Sequence, residues 1–136
     1  MKLKVKALRE GAKLPTRGTE LAGGLDLYCH EDTLLTERPE KISTGVAVEI
    51  PAGYVGLIQT RSSSAINGIT VFTTVVDADY RGELFITAKS CGLRLITQGQ
   101  RIAQLVLLPL PAFEPEWADE LSETERGTGG YGSTGV

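Results

Sequence analysis

An all-β domain is the fold this sequence predicts: a jelly-roll-like distorted barrel ending in a flexible, glycine-rich tail. Three observations carry that prediction. About nine or ten apolar runs of strand length recur along the chain, bounded by Gly, Pro, Asn, Asp or Ser. Several alternate apolar and polar residues with period two, the pattern of a strand with one face in a core and one in water. Almost nothing is patterned for helix, because turn signals interrupt the chain too often. The 136 residues suit a single domain, 1–136, long enough to bury a core without disulfide or metal staples.

Composition narrows the classes of function. An apolar share of 41% and a charged share of 23% are those of an ordinary globular chain. No apolar run approaches the ~20 residues of a membrane-spanning helix. The first residues, Met1 to Lys6, alternate with period two and lack the apolar stretch of a signal peptide, so an intracellular, cytoplasmic protein is expected. Cys29 and Cys91 have no metal-binding spacing and read as idle thiols in a reducing compartment. His30 is the only histidine, which excludes a His/Cys zinc centre and disfavours Ser-His-Asp chemistry. A net charge of −3 without a Lys/Arg block argues against nucleic acid as a partner, and no membrane partner is expected.

Taken in order, Leu3, Val5 and Ala7 alternate with Lys4 and Lys6 and predict a first strand with one wet face. Gly23 and Gly24 then precede Leu25-Asp26-Leu27, where an acid between leucines predicts a buried, hydrogen-bonded carboxylate tying loops together. Thr44 to Ile50 is a strand, turned by Pro51-Ala52-Gly53 into another over Tyr54 to Thr60. Arg61-Ser62-Ser63-Ser64-Ala65 follows. Serines and a later glycine expose backbone amides, and a guanidinium offers a fork for phosphate oxygens. The plain alternative is a helix N-cap or a serine turn.

Ile69 to Val76 leads into Val75-Val76-Asp77-Ala78-Asp79-Tyr80-Arg81-Gly82-Glu83-Leu84, the centre of the chain's organisation. Apolar ends around an acidic tight turn predict a β-hairpin, and turn aspartates ordinarily cap their own amides. The return arm runs from Leu84 to Ala88, and a short strand follows around Leu93 to Thr97. Arg101 to Leu108 is the most apolar strand, with Gln104 as its one interior amide, either satisfied by backbone or turned to a ligand. After Pro115 the pattern stops, and Trp117 to Glu125 has room for a turn of helix at most. Arg126 to Gly135 carries five glycines in ten positions. Such a tail is mobile by itself, yet an arginine, glycine-exposed amides and Ser133-Thr134 together resemble a phosphate cradle with Tyr131 as a lid.

Five separated stretches resemble, in order, the five motifs of the trimeric dUTP pyrophosphatase (dUTPase) family. They are Ala22-Gly23-Gly24-Leu25-Asp26-Leu27, Arg61-Ser62-Ser63-Ser64-Ala65, Val75 to Glu83, Gly99-Gln100-Arg101-Ile102-Ala103-Gln104, and Arg126 to Gly135. The resemblance implies a homotrimer with active sites shared between subunits. It implies Mg2+-dependent hydrolysis of dUTP to dUMP and pyrophosphate, which keeps uracil out of DNA and supplies dUMP for thymidylate synthesis.

The resemblance also implies roles. Asp77 would hold and deprotonate the water that attacks the α-phosphorus. Arg61, Ser62, Ser63 and Gln104 would bind the α- and β-phosphates, and Mg2+ would ride on the triphosphate and waters, with Asp26 at most in its outer shell. Arg126, Gly132, Ser133 and Thr134 would close on the γ-phosphate, and Tyr131 would stack on the uracil. Backbone groups of the two arms, over Thr74, Val75 and Val76 and at Phe85, would pair with uracil. Cytosine reverses those donors and acceptors and would leave them unpaired. Tyr80 would pack under the deoxyribose, where a 2′-hydroxyl clashes. Two departures stand out: Phe72-Thr73-Thr74 replaces the family's small residues before the Val-Asp pair, and the lid aromatic is Tyr131 where Phe is commoner. Rival readings are a dCTP deaminase of the same fold, or a dUTPase-like module that binds a protein partner under nucleotide control. The sequence itself indicates no such regulatory partner.

Overall fold

The computed structural model describes residues 1–132, which form eleven strands and one five-residue helix. Every strand pairing is antiparallel. The largest sheet has four strands in the order β2 (Leu25–Tyr28), β11 (Arg101–Pro109), β6 (Tyr54–Thr60) and β8 (Thr74–Val76). A second sheet sets β9 (Phe85–Ser90) between β4 (Glu40–Ser43) and β7 (Ile69–Val71). Two smaller pairs complete it, β1 (Lys4–Ala7) with β5 (Val46–Glu49) and β3 (Thr33–Leu35) with β10 (Arg94–Ile96). Partners far apart in sequence make the crossings of a distorted, unclosed jelly roll.

The alternation read from sequence becomes the core. On β9, Ile86, Ala88 and Ser90 point inward while Phe85, Thr87 and Lys89 do not. Leu27, Leu35, Ile42, Ile58, Leu84, Ile96 and Leu105 join them from the other sheets, each 2% exposed or less. β1 is thinner cover than its alternation suggests, with Leu3 and Val5 packed on the core and Ala7 exposed.

Three local expectations change. The run from Ile69 to Val76 is two strands: Phe72 N–H bonds the Thr87 carbonyl at 2.9 Å, Thr73 Oγ1 bonds Gln59 Oε1 at 3.1 Å, and the chain crosses between sheets there. The serines after Arg61 form α1 (Ser62–Ile66), with Arg61 at the N-cap position but making no side-chain cap bond. The predicted hairpin is no ladder either. β8 pairs with β6, and β9 pairs with β4 and β7, so the two arms stand in different sheets. The turn between them is compact, closed by Tyr80 N–H to the Asp77 carbonyl at 3.1 Å. From 111 to 125 there is no helix or strand.

Candidate functional site

The parting of β8 from β9 makes a slot of about 260 Å³. Thr74, Val75 and Val76 form one wall, Leu84, Phe85 and Thr87 the other, and Ile58 on β6 contributes to the lining. Asp77 and Tyr80 stand in the turn that joins the walls and line the same slot. Leu84 N–H bonds the Val46 carbonyl at 2.8 Å, and the Thr87 carbonyl accepts from Phe72. Backbone groups alternate sides along a strand, so those of Phe85 point away from β4, towards the open side that β8 faces. The Phe85 ring lies under the Lys41 ammonium, 4.5 Å from its centroid, a cation–π contact that fixes the outer face of this wall.

Asp77 is exposed, and among the described residues its carboxylate has no hydrogen-bond or ion-pair partner. The other acid of this turn is held tightly. Glu83 accepts from Ser43 Oγ at 2.5 Å, from Arg9 Nε at 3.1 Å and from Gly45 N–H at 3.5 Å. Burial alone would raise its pKa, but the Ser43 and Arg9 hydrogen bonds, the Arg9 charge and the Gly45 amide together hold it below the ordinary carboxylate value. Reading the sequence did not single out Glu83. The available signal was an acid directly before the buried Leu84, a place where a carboxylate needs partners.

A second cluster sits at the far end of β6. Asp26 on β2 receives Arg61 Nε at 2.9 Å on one oxygen and Arg101 Nη1 at 3.4 Å on the other. Arg61 Nη1 also bonds the Arg101 carbonyl at 2.9 Å and Ser63 Oγ at 3.3 Å. The Arg61 fork is thus held by three partners in one pose. Ser62 is exposed beside it. Gln104 on β11 donates to the Thr60 carbonyl at 2.9 Å, so its amide is backbone-satisfied in part. A Cβ on Gly24 would stand 2.7 Å from Gln104 Oε1, so only glycine lets β2 lie this close to that amide. Arg101 joins this cluster although, in sequence, a polar first residue of an apolar strand looks like a solvated end.

The two clusters do not meet within one chain. Val76, next to Asp77, faces Gly56 on β6, five residues before Arg61. At ~3.3 Å per residue that separation is roughly 17 Å along the strand. The tail forms a third group. Arg126 Nε bonds the Gly129 carbonyl at 2.6 Å, Gly129 N–H returns to the Arg126 carbonyl at 3.1 Å, and Tyr131 is fully exposed. Gly132 ends the described residues with a left-handed φ of 80°, and Ser133 and Thr134 lie outside them.

Among the described residues no three His, Cys, Asp or Glu side chains gather as a metal site. No helix among them is long and apolar enough to cross a membrane.

The chain matches the family model described as dUTPase over residues 10–135. It is 43% identical to the deoxyuridine 5′-triphosphate nucleotidohydrolase of Hydrogenobaculum sp., covering 100% of this chain and 99% of that protein. To the protein of that name from Paramecium bursaria Chlorella virus 1 it is 41% identical, covering 98% of each. Among solved structures, Staphylococcus bacteriophage 80alpha dUTPase with dUpNHpp superposes with a TM-score of 0.90 at 32% identity, covering 99% of both chains. A mutant dUTPase of S. aureus phage phi11, described with a structural Mg(II) ion, gives 0.81 at 29% identity over 88% of this chain and 98% of that one.

Proposed function

The chain belongs to the dUTPase family, and from that premise we propose that it hydrolyses dUTP to dUMP and pyrophosphate, with Asp77 as general base. The observation that carries the reading is the slot between β8 and β9, with open backbone edges in its walls and, in its turn, a carboxylate that has no partner among the described residues. Uracil enters between the arms, where backbone groups at Phe85 and on the Thr74–Val76 arm pair with its N3–H and O4. Cytosine presents the reverse pattern and leaves buried groups unpaired. Tyr80 supports the deoxyribose from below. Asp77 orients a water in line with the α-phosphorus and takes its proton as the P–O bond forms and pyrophosphate leaves.

Arg61, Ser62, Ser63 and Gln104 hold the α- and β-phosphate oxygens. Arg126, the Gly132 amide, Ser133 and Thr134 close on the γ-phosphate, with Tyr131 over the base. The donor set suits a magnesium carried by substrate: both Asp26 oxygens are engaged by arginines, and among the described residues no carboxylate cage forms. A Mg2+ held by the triphosphate and waters would supply charge neutralisation, with Asp26 at most in its outer shell.

The roughly 17 Å between the start of the Asp77 turn and Arg61 is too far for both to address one α-phosphate. One site therefore takes Asp77 from one subunit and Arg61 with Gln104 from another, in a homotrimer. Leu110, Phe113, Trp117 and Leu121 are about half exposed or more along a segment without secondary structure, apolar surface that a second subunit would cover. The test is direct. Purified protein with dUTP and Mg2+ should release pyrophosphate and dUMP, and leave dCTP unchanged. Absence of pyrophosphate from dUTP would overturn the reading.

A further inference from the structure

Gly82 lies in the turn between Asp77 and β9, and it does not have the left-handed backbone conformation seen at Gly53 or Gly99. An L-residue could adopt this backbone. What a side chain there would meet is the Tyr80 ring: a Cβ would stand 2.5 Å from the hydroxyl oxygen, 2.7 Å from Cζ and 3.0 Å from Cε1. The ring is folded back across Gly82, and its hydroxyl donates to the Glu83 carbonyl at 2.8 Å. Glu83 is in turn anchored to Ser43, Gly45 and Arg9, so the catch for the ring tip is fixed to the body of the molecule. The same ring lines the slot.

We infer that Gly82 determines sugar specificity through Tyr80: the missing Cβ is what lets the ring lie where it meets the sugar of the bound nucleotide. The inference rests on the functional reading above, in which Tyr80 faces the deoxyribose. A methyl at position 82 pushes the ring tip by roughly 1 Å to restore ordinary contact distance, and separates its hydroxyl from Glu83. A displaced ring packs poorly under deoxyribose and no longer stands against a 2′-hydroxyl. The dUTP-to-UTP ratio of kcat/KM falls. One methylene in a pocket is worth ~10–200-fold, so a fall of about tenfold or more is expected for Gly82→Ala.

The experiment is a double-mutant cycle on the full chain, read as that ratio for wild type, Gly82→Ala, Tyr80→Ala and the double variant. Coupling through the ring predicts that Gly82→Ala shifts the ratio about tenfold when Tyr80 is present and less than about twofold when it is Ala. An unchanged ratio in Gly82→Ala overturns the inference, as does an equal shift in both backgrounds, which would place the effect in the backbone. If Gly82→Ala does not fold but the double variant does, the ring is what the methyl met, and the ratio is read for Gly82→Ala against a Tyr80→Phe parent, where a fall of about tenfold supports the inference and an unchanged ratio overturns it. If neither folds, position 82 is a backbone requirement and the inference fails. A wild type that releases no pyrophosphate from dUTP sinks the functional reading and this inference with it. An active wild type with no coupling sinks this inference alone.

Discussion

Asp77 and Glu83, six residues apart in one turn, stand in opposite environments. Asp77 is exposed and unpaired among the described residues, so its lone pairs are available to a water. Asp77→Asn should therefore leave fold and dUTP binding intact and lower kcat by ~10²–10⁴-fold, the contribution of a positioned general base. A single-turnover assay beside equilibrium binding checks both halves. Glu83 works by being bound. Its pKa is depressed below 4.5, so its stabilising contribution is present above that value and is lost as pH falls through the folded-state pKa. Glu83→Gln should cost roughly 1–3 kcal/mol at pH 7, the worth of hydrogen bonds to a charged group. Urea titrations at stepped pH should show the gap to wild type narrowing below about 4.5, where wild-type Glu83 takes up its own proton.

At the scale of elements, the turn, α1 and the tail each do something that local pattern does not specify. The stretch Val75 to Leu84 has the composition of a hairpin, but the ladders it joins are β8 to β6 and β9 to β4 and β7. The arms part because each pairs with another strand outward, and the parting leaves the slot between them. Among the described residues the last member of the buried core is Leu105, well before the tail. Deleting residues 126–136 should therefore leave the melting temperature nearly unchanged while removing most dUTP hydrolysis. Limited proteolysis gives the complementary measurement. Cleavage near Arg126 should slow when a non-hydrolysable dUTP analogue is added, and equal rates with and without it would count against closure of the tail on nucleotide.

For the whole molecule, the distance along β6 is the decisive quantity. If Asp77 and Arg61 of one site come from different chains, two crippled subunits can complement. Asp77→Asn and Arg61→Gln proteins, unfolded together in equal amounts and reassembled, give each site an intact Asp77 with chance one half and an intact Arg61 with chance one half. About one quarter of wild-type activity should return, by counting in a closed cyclic oligomer. Sites built within one chain would stay at the floor in every mixed assembly. Subunit exchange is verified separately with differently tagged chains.

The class of fold, the position of most strands and the motifs that mark the family are legible in the sequence alone. Those are local matters: period-two alternation such as Ile86, Ala88 and Ser90 inward, Gly and Pro at turns, and motif residues such as Asp77, Arg61 and Gln104 are all written in short windows. Long-range packing splits the central hairpin, sets Arg61 between Asp26 and the Arg101 carbonyl, makes Glu83 an anchor and lays the Tyr80 ring across Gly82. Each of these depends on which distant segment a strand chooses as partner. Arg101 lies 40 residues from Arg61 and 75 from Asp26. Pairings across such separations follow from how the whole set of apolar faces is best buried, and no short window of the chain contains that information.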